Sequence, residues 1–157
     1  MVDIDPYLIV RTLHIISSTI VFGTGVGIAF FMFRSYFGAD HAAKLYAVRT
    51  TVLADYIFTL PAVIIQPVTG FWLVWQVGYD WTAPWLVITY VIYAIAGACW
   101  LPVVWIQIEL KKILESVSEK TDLPERYHSL FKIWFILGCP AFIGLVAVFF
   151  LMVMKPV

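Results

Sequence analysis

The chain has 157 residues, 62% of them hydrophobic and 13% charged, with a mean hydropathy of +0.93. A soluble domain averages about a quarter charged residues and under half apolar ones, so this composition excludes an ordinary water-soluble core. Ten Lys plus Arg balance ten Asp plus Glu, and that neutrality points to neither nucleic acid nor an acidic substrate.

The start, Met1-Val2-Asp3-Ile4-Asp5-Pro6, is acidic where a secretory signal is basic, and the apolar run behind it is too long for a signal core. It is therefore expected to stay as a membrane helix. Pro6 suits a first helical turn, and the first span covers about residues 7–36. A second segment emerges near Tyr46 as an interfacial stretch and is apolar over about 52–76. After Asp80-Trp81-Thr82-Ala83-Pro84 a third span covers about 84–107. Its helix is expected to continue, because Glu109 to Glu119 keeps good helix formers in a charged pattern. The fourth span covers about 133–154, and Lys155-Pro156 ends it. Each run reaches the roughly 20 apolar residues that spanning requires. Pro61, Pro67, Pro102 and Pro140 each remove a backbone hydrogen bond inside a span, and the freed carbonyls need partners from neighbouring helices or water. The expected fold is all-α, an integral membrane antiparallel four-helix bundle in a single domain.

Charge asymmetry sets the orientation. Arg34, Lys44, Arg49, Lys111, Lys112, Lys120, Arg126 and Lys132 flank the first–second and third–fourth connections. Only Arg11 and Lys155 lie toward the other side, which holds Asp3, Asp5 and Asp80. The positive-inside rule then puts both termini on the outer side of a bacterial inner (plasma) membrane. Tyr7, Trp72, Trp75, Tyr79, Trp81 and Trp85 are expected to form an outer aromatic belt, with Tyr36, Tyr46, Trp105, Tyr127 and Trp134 as the inner one. Cys99 and Cys139 fall inside spans and read as small apolar residues.

Helical spacing gathers the polar residues. At about 100° per residue, His14, Ser18, Val21, Gly25 and Met32 share one face of the first span, flanked by Arg11 and Ser17. Asp55, Thr59, Ala62, Gln66, Thr69 and Gly70 share a face of the second, and Tyr90, Tyr93, Gly97 and Val104 of the third. These stripes are expected to line the bundle interior, either as small-residue packing with interhelical hydrogen bonds or as a binding site. An imidazole in the bilayer is costly unless it is paired, faces a cavity or binds something. His14 thus reads either as a neutral, hydrogen-bonded imidazole or as an axial ligand to b-type haem. Copper, held by His14 and Met152, is a further alternative.

In the haem reading Arg11, one turn toward the outer surface, meets a propionate, and Ser18, Gly25, Gln66, Thr69, Tyr90 and Tyr93 border the group. His14 lies roughly 10 Å below the outer end of its helix, whereas His41 and His128 are cytoplasmic. Depth therefore excludes a bis-histidine haem within one chain. A five-coordinate haem, a His/Met pair and a ligand from a second copy all stay open. Asp55 faces inward in an apolar context and is expected to pair with Arg49 or Lys132, while Arg49, Glu109, Lys111 and His128 suggest interfacial ion pairs. No nucleophile–base pair, phosphate loop or paired carboxylates point to hydrolysis or phosphoryl transfer.

Leu13-His14-Ile15-Ile16 with the glycines after it, Phe58-Thr59-Leu60-Pro61-Ala62 leading to Gln66-Pro67-Val68-Thr69-Gly70, Tyr127-His128 with Trp134, and Gly138-Cys139-Pro140-Ala141-Phe142 resemble a family of small bacterial "predicted integral membrane proteins" of no assigned activity. The resemblance covers nearly the whole chain. More distantly, the first span looks like that of HemJ-type protoporphyrinogen oxidases and copper-resistance protein D membrane proteins. That likeness implies haem or copper binding by the first-span histidine, here His14. The Tyr-Leu-Pro-Arg segment of HemJ-type proteins and a lysine in the third span are both missing here, so the likeness carries over His14 alone. The resulting expectation is a haem-binding membrane protein in electron transfer or in a membrane complex, with the lipid bilayer as its partner and a homo-oligomer as an open possibility. The rival expectation is a non-catalytic carrier or assembly subunit with no cofactor.

Overall fold

The computed structural model describes residues 5–38, 40–119 and 122–156. Asp3 and Lys120, both used above for orientation, lie outside them. Among the described residues the regular structure is entirely helical, and four helices are long and apolar enough to cross a membrane. They are α1 (Pro6–Gly38), α2 (His41–Val77), α3 (Pro84–Ser116) and α4 (Glu125–Met154). With 30 to 37 residues each, they extend about 45–55 Å, well beyond a hydrocarbon core of about 30 Å. The charged stretch after Ile108 continues α3 as its composition suggests. The helices also outrun the apolar runs elsewhere, since α2 begins at His41 and α4 at Glu125.

Contacts at the two ends fix the up-down-up-down order. At one end the Tyr36 hydroxyl meets His128 Nδ1 at 2.7 Å, Arg49 pairs with Glu115 at 2.9 Å, and Glu109 pairs with both Lys112 and Arg126. This end carries the basic residues. At the opposite end Lys155 donates to the Tyr79 hydroxyl and lies over the Tyr79 and Trp85 rings. His14 and His128 therefore occupy opposite halves of the bundle.

The core is concentrated at the basic end. Met32, Val48, Ile106, Leu110, Leu114, Tyr127, Leu130, Phe131 and Trp134 form one buried cluster drawn from all four helices. Leu110 and Leu114 are fully buried. Tyr127 and Trp134, expected in an aromatic belt, are instead part of this core. Each ring finds a place in the four-helix interior, where burial gains more than a place at a lipid interface. Toward the other end a smaller cluster joins Val74, Trp85 and Leu86, with Tyr79, Tyr90, Leu151 and Met152 against it. Between the two, Phe30, Ile57, Ile64, Val91 and Ile143 face outward. So broad an apolar surface fits lipid as its solvent.

Local chemistry accounts for the turns. Asp40 caps α2, its Oδ1 accepting the Ala43 N–H at 2.8 Å. Gly78, with φ 77°, ends α2 in the left-handed conformation, and the Gly78 and Tyr79 amides both reach the Val74 carbonyl. Asp80 then orders the short connection by accepting the Thr82 amide at 2.9 Å and the Thr82 hydroxyl at 2.7 Å. Those two bonds, the amide first, hold the Asp80 carboxyl below the usual carboxylate range.

Candidate functional site

Four side chains from α1 and α2 converge on one polar cluster in the half of the bundle away from the basic end. His14 Nδ1 lies 2.8 Å from Thr69 Oγ1. Gln66 Nε2 donates both of its protons, one to the His14 carbonyl and one to Ser17 Oγ, each at 2.7 Å. Ser17 Oγ in turn points at the His14 carbonyl at 3.1 Å. The close approach has a backbone cause, because Gly70 faces the imidazole. A Cβ at that position would stand 3.2 Å from His14 Cε1, so a residue without a side chain lets α1 pack its ring against α2.

Proton inventory assigns the histidine tautomer. Thr69 Oγ1 has a single proton and lies 2.7 Å from the Ile65 carbonyl one turn back, the usual acceptor for a helical threonine. With that proton committed, Oγ1 accepts from His14 Nδ1–H. The neutral imidazole then carries its lone pair on Nε2. This is how a metal-binding histidine is usually oriented, with the second nitrogen fixed by a hydrogen bond.

The other residues singled out from the sequence are dispersed around this cluster. Tyr93 Oη donates to the Val63 carbonyl at 2.5 Å. Val63 sits four residues before Pro67, so its carbonyl is the acceptor that Pro67 cannot serve, and a neighbouring helix supplies the missing donor. Tyr90 packs on Phe71, and its buried hydroxyl has no partner. Ser18 is half-buried and turns its hydroxyl back to the Ile15 carbonyl. Gly25 would admit a Cβ with nothing within 4 Å. Arg11 is exposed. Met152 packs with the Val74, Trp85 and Leu86 cluster. Among the described residues no group of three or more His, Cys, Asp and Glu gathers for a metal. Both cysteines are free, Cys99 half-buried and Cys139 exposed.

Ser17 is the residue whose importance the spacing understated. It is 3% exposed and at the centre of the cluster. The buried positions of α1 are Ser17, Val21, Met32 and Ser35, whose separations are all close to whole helical turns and so put Ser17, not Ser18, on the buried line. The expected ion pair of Asp55 with Arg49 or Lys132 does not form. Arg49 is committed to Glu115 through two nitrogens, at 3.0 and 2.9 Å, Lys132 is exposed, and Asp55 is buried. Arg49 sits on an exposed turn of α2, where Glu115 is within reach and no charge needs to be desolvated.

Apolar faces around a buried core and an internal polar clasp define an integral membrane helical bundle. The chain belongs to a family described as "Predicted integral membrane protein (DUF2269)", whose model matches residues 8–156. No curated protein and no solved structure matches it.

Proposed function

We propose that this multi-pass protein lies in a bacterial inner membrane with both termini outside, and that its outer-half cluster binds a b-type haem through His14 Nε2. The observation that carries this reading is the His14 Nδ1–Thr69 contact at 2.8 Å, which leaves a preoriented nitrogen lone pair on a residue that would otherwise be a liability in lipid. The residues fit one axial position. Haem, when bound, supplies one-electron chemistry. Thr69 fixes the ring, Gln66 and Ser17 fix the backbone that bears it, and exposed Arg11, one turn away, offers a guanidinium to a carboxylate. Electron transfer, alone or as a subunit of a larger membrane complex, is the activity such a site serves. The basic flanks of the connections support the orientation.

A second reading has its own support. The protons of Gln66 and Thr69 are matched within the α1–α2 pair, which is what a cofactor-free helix clasp requires, in a carrier or an assembly subunit. Visible spectra of the detergent-purified protein, oxidised and reduced, separate the two. The haem reading expects a Soret band in the parent and its loss in His14→Ala. A preparation that stays colourless after haem supplementation, with His14→Ala folded, overturns it in favour of the clasp. Metal analysis of the same sample tests the copper alternative with Met152.

A further inference from the structure

A second polar group, on α2 and α3 toward the basic end, is left incomplete by the protein itself. Asp55 is 3% exposed, Thr59 5% and Gln107 1%. Asp55 Oδ2, Thr59 Oγ1 and Gln107 Oε1 are each buried without a hydrogen-bond partner, as is Trp100 Nε1. Thr59, Gln107 and Trp100 surround the Asp55 carboxyl closely enough to act on it, although none of these four atoms has a partner at full hydrogen-bond geometry. Three buried oxygens, of Asp55, Thr59 and Gln107, without a fully formed hydrogen bond are rare in a folded protein and call for an occupant.

The backbone adds to the case. Asp55 and Thr59 bracket a π-turn, Asp55–Thr59, in which the Leu60 N–H reaches back to the Asp55 carbonyl. Pro61 follows and has no N–H to give. A widened turn next to a proline leaves carbonyl oxygens under-served, and such breaks in membrane helices commonly hold ions.

Charge and donor type narrow the occupant. Arg49 is paired with Glu115, Lys112 and Arg126 are paired with Glu109, and Lys132 is exposed. The orphaned acceptors are all oxygens, which suit a hard cation rather than a soft one. A single carboxylate matches a single positive charge.

We propose that Asp55, Thr59 and Gln107 form a binding site for a sodium ion at the inner edge of the membrane domain, separate from the His14 cluster. The test is thermal unfolding of the full-length detergent-purified protein across a sodium chloride series, with choline chloride holding ionic strength constant. The parent is expected to gain about 5 °C at saturation. Asp55→Asn, which keeps the volume and removes the charge, is expected to lose that response. Thr59→Val, a milder change, keeps the fold and is expected to need roughly tenfold more sodium. A flat parent, an equal rise in potassium chloride, or an Asp55→Asn or Thr59→Val protein with the full sodium response would overturn the proposal.

Discussion

Tyr93 takes up the Val63 carbonyl that Pro67 strands, so a single phenol hydroxyl underwrites the shape of α2. Tyr93→Phe removes this donor and leaves a buried acceptor unmet. The expected cost is about 1 kcal/mol, read as a lower melting temperature with unchanged helix content. Gly70→Val is expected to be worse. A Cβ there is already at 3.2 Å from His14 Cε1, and two further methyls would force the imidazole off Thr69. Loss of the His14 ring environment, followed by its histidine NMR signal, checks this. At this scale the sequence was informative in part. His14, Gln66, Thr69 and Gly70 stood out because polar and small residues are rare in an apolar run, and they do meet. The spacing puts Ser18 on the His14 face and Ser17 at its flank, whereas Ser17 is the buried one, because adjacent serines in a run of Ser and Thr differ by only one position around the helix. The partner of Tyr93 was hidden because it is a backbone carbonyl.

Among the helices, α2 is the one with the most local departures from regularity. Asp40 opens it, the π-turn widens it, Pro67 removes one of its backbone donors and Gly78 closes it. Asp40→Ala is expected to destabilise by about 1 kcal/mol through loss of the Ala43 bond. The connection to α3 has a pH signature. Asp80 is held below its ordinary range by the Thr82 amide and hydroxyl. Its ordering is therefore present above the unfolded carboxylate value and is lost as pH falls through the lower folded one. Protection of the Thr82 amide from hydrogen exchange is expected to fall on acidification over that window, and to be low throughout in Asp80→Ala. Element number and order were legible, because four apolar runs separated by polar connections leave little choice. Helix ends were not. The first turns of α2 and α4 and the last of α3 carry ordinary soluble-helix sequence, which hydropathy does not separate from loop. Nothing in the composition around Asp55 announces a π-turn, which depends on how Pro61 is accommodated.

For the molecule as a whole, the four helices share a well-packed basic end and divide toward the other. The half of α2 after the π-turn packs chiefly on α1, and α3 packs chiefly on α4. Contacts across this division are sparse. They include the Tyr93 bond to Val63, the Phe71–Tyr90 pair, and Phe22 against Phe142 and Phe149. Orientation follows from the basic end. Reporter fusions in the connection between α3 and α4 are expected to report the cytoplasm, and fusions after α4 the opposite side. A cytoplasmic signal after α4 would invert every depth assigned here.

The sturdy core at one end and the sparse seam at the other make the bundle a clothes-peg whose spring lies at the basic end. Its jaws are two helix pairs, each internally bonded, and they meet mainly through aromatic edges and one phenol. Force on the jaws is expected to part them before it disturbs Leu110, Leu114 or Tyr127, with amide exchange rising first at the seam as the check. A change in lipid thickness is thus expected to act as a lever on the gap between α1 and α4 while the core at the basic end stays shut.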